Sequence, residues 1–445
     1  MKDSPVKDDT VKGNTVKVAV VGAGIGGLCL AQGLIRAGLE VTVYERDPEL
    51  NSGGQGYRLH IDAGPALRAC LPPDLYELCV ATSGRPSTAL TVLSKSLRPL
   101  RRIEATAAAD PLDPATLSMP VNRQTFREVL AARLGGGLEF GRACVGFDRH
   151  PGGVTVRFRD GSTADADVLV GADGVGSPVR RQYLPHALVE DTRTVCVYGR
   201  TPLTAQTRPL LPAPLHDGFA AVLGDGVGMA AGPVDFREPP PDAAARIAPD
   251  VRLSPAGPYL MWAVTGAARR FGGERDRLAE LPPAQLRSAT ELHGAAVHAI
   301  RRWHPDLVGL LEHATVPETF LVTVRTAVPV AAWQPSRVTL LGDAIHAMSP
   351  AGGSGANTAL RDAALLAGEL AAAASGEKAL LQAVGDYERR MTDYGFAAVR
   401  VSRAHSPGGL SPRLPGGWLR GWRGQAAARR ASAGPRRAAR PDTAR

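Results

Sequence analysis

Two glycine-rich turns, far apart in the chain, hold the residues best suited to bind a phosphate-bearing ligand. The first reads VVGAGIGGL and places Gly22, Gly24 and Gly27 in a G-x-G-x-x-G pattern between a valine-rich run and a helical run. In this pattern the first glycine permits a tight turn, the second lets the backbone approach a pyrophosphate, and the third lets helix and strand pack closely. The start of the helix also offers free N–H groups and a partial positive charge to the phosphates. The turn therefore predicts a dinucleotide site.

An acidic residue ends the strand that follows this helix. The segment Glu40 to Glu45 (EVTVYE) is predicted to be the second strand of a β-turn-α-β unit, which places the Glu45 carboxylate near the ribose hydroxyls. Because a carboxylate repels a 2′-phosphate, an ADP moiety without that phosphate is favoured, in either NAD or FAD. The residues of this unit predicted to bind the cofactor are Gly22, Gly24, Ile25, Gly26, Gly27, Glu45 and Arg46.

The second turn lies in the segment LLGDAIHAMSPAGGSGANTALRDA, between an apolar run and a helical run. Gly342 allows a sharp turn at the end of the apolar run. A third segment, VLVGADGVGSPVRR, carries Asp173, Gly174 and Arg180 in the pattern D-G-x-x-S-x-x-R. An Asp-Gly pair alone is compatible with an ordinary surface turn. It indicates a cofactor site only together with the other two segments.

Together and in this order, the three segments resemble the single-component FAD-dependent aromatic hydroxylases, the group A flavoprotein monooxygenases with the para-hydroxybenzoate hydroxylase fold. The resemblance extends from about residue 16 to residue 403. It implies an α/β fold in which a Rossmann-like FAD-binding domain carries an inserted β-sheet substrate domain. It also implies that the two glycine-rich turns serve opposite ends of one FAD, the first holding the ADP half and the second the flavin half.

The same resemblance implies roles for residues around the flavin. Asp343 would hold the ribityl hydroxyls, and Pro350 to Gly355 would wrap the isoalloxazine ring with bare backbone, since a side chain would collide with the ring. The helix that begins near Ala356 would bring its positive end to the flavin N1–C2=O edge, where reduction deposits negative charge. Arg123 matches an arginine near the FAD phosphates, and Arg58 falls near a flavin-contacting arginine, with a solvated surface arginine as the alternative. The cofactor residues predicted from these segments are Arg58, Arg123, Asp173, Gly174, Gly342, Asp343, Pro350, Gly353, Gly355, Ala356 and Asn357.

Changes in composition along the chain predict its domain organisation. The middle of the chain is rich in proline and in short strand and hairpin patterns, whereas its end is rich in Pro, Gly, Ala and Arg. The predicted parts are a discontinuous FAD-binding domain (14–88, 116–192 and 327–405), a substrate-binding domain (89–115 and 193–326) and a basic, disordered tail (406–445).

The bulk composition excludes several classes of partner. Residues 411–445 carry nine arginines and one aspartate, or +8 of the net charge of +9, which leaves about +1 for the other residues. This near-neutral body gives no reason to expect nucleic acid. Five scattered cysteines without a ligand spacing predict reduced thiols in the cytoplasm and disfavour a zinc site or a catalytic thiol. No apolar run approaches the ~20 residues that cross a bilayer, so no integral membrane segment is expected.

The resemblance also implies a reaction, an NAD(P)H- and O2-dependent monooxygenation. In the family's cycle NADPH or NADH docks transiently and reduces FAD, O2 adds at flavin C4a, and the hydroperoxide transfers one oxygen atom by hydroxylation, epoxidation or a related reaction. Because few basic residues obviously point inward, an apolar, aromatic or polycyclic small molecule of secondary metabolism is favoured as the substrate. The alternative is an FAD-dependent oxidoreductase of the same fold without oxygen insertion, such as a dehydrogenase, reductase or halogenase. A monomer or homodimer is expected.

No catalytic side chain is assigned from the sequence. His346 lies close to the second glycine-rich turn and His60 lies near Arg58, but a lone histidine is more often structural than catalytic. Tyr198 and Trp262 lie on predicted strands of the middle region. They either line a pocket or fill the core, and the core is the favoured interpretation.

Overall fold

The computed structural model describes residues 16–52, 56–105, 110–216, 218–224, 226–271, 288–350 and 353–404. Its strands are β1 (Lys17–Val21), β2 (Glu40–Tyr44), β3 (Arg58–Ile61), β4 (Ala89–Ser94), β5 (Pro99–Glu104), β6 (Met119–Asn122), β7 (Leu138–Glu139), β8 (Cys144–His150), β9 (Gly153–Phe158), β10 (Thr163–Ala166), β11 (Val168–Gly171), β12 (Val189–Pro202), β13 (Phe219–Leu223), β14 (Val227–Val234), β15 (Tyr259–Ala267), β16 (Phe320–Ala327) and β17 (Val338–Leu340). Its helices are α1 (Ile25–Arg36), α2 (Gly64–Cys70), α3 (Pro73–Ala81), α4 (Arg123–Ala131), α5 (Pro178–Tyr183), α6 (Pro240–Ile247), α7 (Ala289–Ile300), α8 (Pro305–Glu312), α9 (Asp343–His346), α10 (Gly355–Ala374) and α11 (Leu380–Ala404).

Five parallel strands form the sheet that carries the first glycine-rich turn. Their order is β17-β11-β1-β2-β7, and β1 pairs with both β2 and β11. Val18, Val20 and Val43 are fully buried, as expected for a parallel sheet that is covered on both faces. Helix α1 packs against α10, although the two helices lie near opposite ends of the chain. This packing brings the two predicted cofactor segments to one side of the sheet.

A second, larger sheet contains seven strands in the order β16-β12-β15-β14-β13-β4-β5. Its neighbouring strands are antiparallel except for β13 with β4. Side chains alternate between its faces: Trp262 and Val264 of β15 join a core with α7 and α8, whereas Tyr259 and Met261 lie on the opposite face. The predicted α/β fold, with a Rossmann-like sheet and a separate β-sheet, is therefore confirmed.

Three of the described helices lie in the proline-rich middle of the chain, where the sequence pattern indicates short strands. Helix α6 begins at Pro240 and α8 at Pro305. These prolines start helices because the N–H groups of a first helical turn have no partner inside the helix, so a residue without one is tolerated there. Helix α7 begins with a capping box in which Ser288 and Glu291 each accept a hydrogen bond from the other's backbone. The S-x-x-E signal of this box is visible in the sequence, but the proline content around it obscures it.

Part of the middle region packs with the parallel sheet rather than with the larger one. Ala243, Ala244 and Val251 belong to the same buried core as β1 and α1. Arg133, just beyond α4, forms an ion pair with Asp250 at 2.6 Å. The chain therefore crosses between the two cores within residues 193–326, which composition alone does not indicate.

The five cysteines are free thiols, and four of them, Cys29, Cys70, Cys79 and Cys196, are buried. Among the described helices, none combines the length and the apolar character needed to pass through a lipid bilayer. The basic tail expected over residues 406–445 lies outside the described part of the chain.

Glu388 of α11 is a buried carboxyl group whose ionisation should control stability. Its side chain is 5% exposed, and its Oε1 accepts a hydrogen bond from Thr339 Oγ1 at 2.9 Å. Burial raises the pKa of Glu388 from its usual value near 4.5 to about 7, with the hydrogen bond from Thr339 acting in the opposite direction. Because the folded state binds the proton more tightly than the unfolded chain, the stabilisation is present in full below about pH 4.5 and is lost as the pH rises to 7.

Glu388→Gln keeps the shape of the protonated group and removes its ionisation. We expect it to raise the free energy of unfolding at pH 8 by on the order of 1–3 kcal/mol, since one pKa unit corresponds to ~1.4 kcal/mol. Urea unfolding at pH 8 and pH 5 measures the effect, and the gain should shrink at the lower pH. The exposed Glu312→Gln is the matched control, and an equal gain for Glu388→Gln at both pH values would contradict the burial argument.

Candidate functional site

The first glycine-rich turn joins β1 to α1 in a way that only glycine permits at two positions. Gly22 has φ +108°, and a Cβ there would lie 2.5 Å from the carbonyl oxygen of Ala172. At Gly27 a Cβ would lie 2.1 Å from the carbonyl oxygen of Gly22. Gly24, which precedes the first residue of α1, has φ −75°, and no atom lies within 4 Å of a Cβ built on it. The turn is thus tightly packed on the protein side and open in front of the helix N-terminus, which fits a pyrophosphate.

Glu45, directly after β2, reaches back to this turn. Its side chain is 7% exposed, and its Oε2 accepts a hydrogen bond from Ala23 N at 2.7 Å. The neighbouring Arg46 points away, with a side chain 78% exposed and an ion pair to Asp47 at 3.6 Å. Glu45 therefore lies beside the turn, as the sequence predicts, whereas the Arg46 side chain lies at the surface.

An arginine that the sequence analysis did not single out also supports this turn. Arg127 of α4 is 5% exposed, and its Nε and Nη2 donate to the carbonyl oxygen of Ala23 at 3.2 and 3.0 Å. Burial lowers the pKa of Arg127, and the nearby Arg123 lowers it further, while Glu45 opposes both. The available signal was the spacing, because residues four apart in RQTFR lie on one face of a helix.

The two glycine-rich turns lie in direct contact. A Cβ at Gly26 would lie 2.4 Å from Leu341 Cδ2 and 3.1 Å from Ala359 Cβ, so α1 approaches both the second turn and α10 at van der Waals distance. Ile25, which opens α1, is 8% exposed. The absence of a side chain at Gly26 therefore sets how close the two halves of the site can be.

The second turn places Asp343 at the start of the short helix α9. Gly342 has φ +63° and ψ −139°, a backbone conformation that favours glycine. Asp343 is surrounded by protein, and burial raises the pKa of its carboxyl group while His346 and Arg123 oppose this. The residue is nevertheless exposed to solvent. A carboxylate in that position fits the hydroxyl groups of a ribityl chain.

His346 holds this turn through a buried network rather than facing a ligand. The side chains of His346 and Asp362 are fully buried, and His346 Nε2 lies 2.6 Å from Asp362 Oδ2. The same Oδ2 accepts from Gly342 N at 2.9 Å, and Tyr394 Oη donates to Oδ1 at 2.6 Å. Burial alone would lower the pKa of His346, but the carboxylate of Asp362 outweighs it and raises the pKa. The structural interpretation of His346 agrees with this geometry.

The segment after α9 leads into α10, and its side chains hold β3 in place. Asn357 Oδ1 accepts hydrogen bonds from Asp62 N at 2.9 Å and Ala63 N at 3.2 Å. Its Nδ2 donates to the carbonyl oxygen of His60 at 2.9 Å. Asn357 therefore ties the start of α10 to the end of β3.

The small residues expected beside the flavin surround the start of α10. Pro350 is exposed and Ala356 is half-buried. Gly353 has φ +62° with no atom within 4 Å of a Cβ, and Gly355 is the first residue of α10. The space around Gly353 is compatible with a ring lying against bare backbone.

The Asp-Gly segment follows β11 and braces the second turn. Gly174 has φ +75°, and Asp173 Oδ2 accepts a hydrogen bond from Val179 N at 3.3 Å. Arg180 Nη1 donates to the carbonyl oxygen of Ala344 at 2.9 Å, next to Asp343. The Oδ1 atom of Asp173 is buried without a hydrogen-bond partner among the described residues.

Aromatic side chains cover the part of the larger sheet that faces this site. Tyr198 and Phe320 stack with ring centroids 5.3 Å apart, and Tyr57 lies 5.3 Å from Tyr198. The guanidinium carbon of Arg123 lies 5.5 Å from the centroid of the Tyr57 ring. Trp262, by contrast, is fully buried in the core on the other face. Both aromatic residues left open by the sequence are buried, Trp262 in the core with α7 and α8 and Tyr198 in the smaller core on the opposite face, which agrees with the favoured interpretation.

Comparisons with known proteins agree with this geometry. The family described as FAD binding domain matches residues 299–402, which include the second turn, and the family described as NAD(P)-binding Rossmann-like domain matches residues 20–74, which include the first. The dual O-methyltransferase/FAD-dependent monooxygenase elcB of Phaeosphaeria nodorum is 32% identical over 447 residues, which cover 92% of this chain and 46% of that protein. The chain thus spans about half the length of the first curated relatives that it matches.

Two further relatives are similar over most of their own length. Aurachin C monooxygenase/isomerase of Stigmatella aurantiaca is 26% identical, with 87% of this chain and 86% of that protein covered. A crystal structure from Photorhabdus luminescens, provisionally assigned as an FAD-containing monooxygenase, is 29% identical with a TM-score of 0.70 and covers 88% of this chain and 98% of its own. The chain therefore carries an FAD-binding domain and is related to the FAD-dependent monooxygenases, which confirms the resemblance drawn from its three motifs.

Proposed function

We propose that the protein is an NAD(P)H- and O2-dependent monooxygenase that inserts one oxygen atom into an aromatic or polycyclic small molecule. The observation that carries the proposal is the contact of the two glycine-rich turns through Gly26 and Leu341. It supports one extended cofactor that runs from the N-terminus of α1 to the N-terminus of α10. When bound, FAD supplies the chemistry of accepting a hydride and activating O2.

The first turn and its neighbours would hold the ADP half of FAD. The N–H groups at the start of α1 would face the pyrophosphate across the open space at Gly24. With the cofactor bound, Glu45 would accept a hydrogen bond from a ribose hydroxyl. That bond would either replace the one from Ala23 N or be added to it. Arg123, one helical turn before Arg127, is proposed to lie near the phosphates.

The second turn would hold the flavin half. Asp343 would accept hydrogen bonds from the ribityl chain, and Asp173 and Gly174 are proposed to contact the cofactor from the neighbouring Asp-Gly segment. Pro350, Gly353 and the first turn of α10, with Ala356 and Asn357, would line the ring. Residues 351 and 352 of the predicted segment lie outside the described part of the chain. In this arrangement the larger sheet forms the opposite wall, which excludes water from the reacting groups.

The aromatic face of the larger sheet supports an aromatic substrate. The half-buried rings of Tyr57 and Phe320, which pack on the buried Tyr198, would offer ring surfaces to a ligand, and planar ligands gain from offset or edge-to-face contact with such surfaces. The names of two of the relatives, elcB and the aurachin C enzyme, describe monooxygenases. We infer secondary metabolism as the context from these relatives.

The proposal also covers the reductant, the cellular location and the oligomeric state of the protein. The G-x-G-x-x-G turn would be occupied by FAD and would not be free to hold the nicotinamide cofactor. NADPH or NADH is therefore proposed to dock transiently beside the flavin. The free thiols support a cytoplasmic location. The chain is proposed to act as a monomer or homodimer.

Oxygen transfer can be tested with the purified FAD-loaded protein and a panel of aromatic compounds. NADPH or NADH oxidation is followed under 18O2, and each reaction is examined by mass spectrometry for a product that carries one 18O atom. We expect at least one compound to speed nicotinamide oxidation and to gain one labelled atom. Oxidation of a compound without label, with electrons passed to an added dye instead of O2, would favour the alternative of an FAD-dependent dehydrogenase or reductase.

A further inference from the structure

Arg58 of β3 is a buried cation without a carboxylate partner among the described residues. The residue is 7% exposed, and charges buried in proteins are usually paired. Its two hydrogen bonds are long, from Nε to the carbonyl oxygen of Pro233 at 3.3 Å and from Nη2 to Ser87 Oγ at 3.4 Å. A guanidinium has five N–H donors, so most of its donor capacity is unused within the described protein.

The neighbouring Arg200 differs from Arg58 in that its positive charge has a carboxylate partner. Arg200 forms an ion pair with Glu318, and its guanidinium carbon lies 5.4 Å from the centroid of the Tyr259 ring. Arg58 instead lies with its guanidinium carbon 5.0 Å from the centroid of Phe219. Burial lowers the pKa of Arg58 to about 10, which still leaves it charged at neutral pH.

The position of Arg58 places its charge between the substrate wall and the flavin site. Its partners Pro233 and Phe219 belong to β14 and β13 of the larger sheet. Two residues further along β3, the carbonyl oxygen of His60 accepts a hydrogen bond from Asn357 Nδ2 at the start of α10. Strands rise ~3.3 Å per residue, so the two points are separated by roughly 7 Å along the strand, about the span of one or two fused rings.

We propose that Arg58 binds an anionic oxygen of the aromatic substrate, a carboxylate or a phenolate, and so sets which substrates the site accepts. The inference rests on the proposed function and adds a charge to the substrate class. An anion at this point would form charge-assisted hydrogen bonds, bidentate in the case of a carboxylate, and would neutralise a buried cation. The family resemblance places Arg58 near the flavin, whereas this role places it on the substrate side.

The test compares binding of aromatic carboxylates with their neutral amides. The FAD-loaded protein is titrated with benzoate, 1-naphthoate and 9-anthracenecarboxylate and with the three matching amides, and binding is read from changes in the flavin absorption spectrum. We expect at least one carboxylate to bind about tenfold more tightly than its amide, and Arg58→Met to abolish that preference while FAD content stays unchanged. The exposed Arg85→Met, which removes the same charge from a side chain 73% exposed in the same region, should keep the preference.

Different results for carboxylate binding or for the Arg58 variants overturn the proposal. If the wild-type protein binds no carboxylate more tightly than its amide, or binds none detectably, Arg58 does not bind an anionic group of the substrate. If Arg58→Met or the more conservative Arg58→Lys loses FAD, the arginine belongs to the cofactor site instead. If Arg58→Met fails to fold, Arg58→Lys must retain a weakened preference. A carboxylate preference without incorporation of 18O would leave this inference standing and remove the monooxygenase assignment, so the two failures are distinguishable.

Discussion

Gly24→Ala is expected to give a folded protein that has lost most of its affinity for FAD. No atom lies within 4 Å of a Cβ built at Gly24, and its φ of −75° suits alanine, so the free protein should tolerate the methyl group. The pyrophosphate is proposed to approach the backbone at this same point, where the methyl would intrude. Steric intrusion into a tight contact costs about 1–3 kcal/mol, which corresponds to a Kd for FAD raised by about 5- to 150-fold.

The measurement is the Kd of the apoprotein for FAD, from quenching of flavin fluorescence, together with thermal unfolding of the apoprotein. Gly368→Ala in α10 is the control, because its Cβ would also meet no atom within 4 Å but lies in a helix interior away from the site. That change should stabilise the protein by about 0.5–1 kcal/mol and leave the Kd for FAD unaltered. Wild-type FAD affinity in Gly24→Ala would mean that the pyrophosphate does not lie at this turn.

Asp343→Ala is expected to weaken FAD binding by about 100-fold or more. Hydrogen bonds to a charged group contribute about 1.5–3 kcal/mol each, and the carboxylate is proposed to accept more than one from the ribityl chain. The residue is exposed to solvent. The apoprotein should therefore lose little stability when the carboxylate is removed.

Two companion variants separate this effect from a general loss of charge. Asp343→Asn keeps one acceptor oxygen and should fall between the wild type and Asp343→Ala in FAD affinity. Asp393→Ala removes an exposed carboxylate from α11 and should leave the affinity unchanged. Purification of Asp343→Ala with a full complement of FAD would remove Asp343 from the cofactor site.

Local sequence signals were sufficient for the parts of the fold that local geometry determines. The valine-rich runs at β1 and β2 mark buried strands because both faces of a parallel sheet are covered. Gly22 and Gly27 are recognisable because their backbone and packing demands recur wherever a strand turns tightly into a helix. Glu45 was placed by chain distance alone, since a strand that follows such a helix must end beside the turn.

Other features were visible in the sequence but ambiguous without tertiary context. Pro240 and Pro305 are compatible with loops, edge strands or helix starts, and only the residues packed after them make them helix starts. Arg127 could be any exposed helical arginine until α4 is packed against the first turn. Such ambiguity arises because one residue type satisfies several local conformations.

The chemistry of the site depended on contacts that only the tertiary structure decides. By itself the sequence determined the strand-turn-helix unit at the first glycine-rich turn and the resemblance to FAD-dependent monooxygenases, and it predicted that the second turn serves the flavin. It could not show that Gly26 brings the two turns together or that Asp362 holds His346. Nor could it show that Arg200 has a counter-charge while Arg58 has none within the described part of the chain. Each of these pairs elements distant in the chain, and the energy of a buried charge depends on which distant groups surround it, not on its neighbours in sequence.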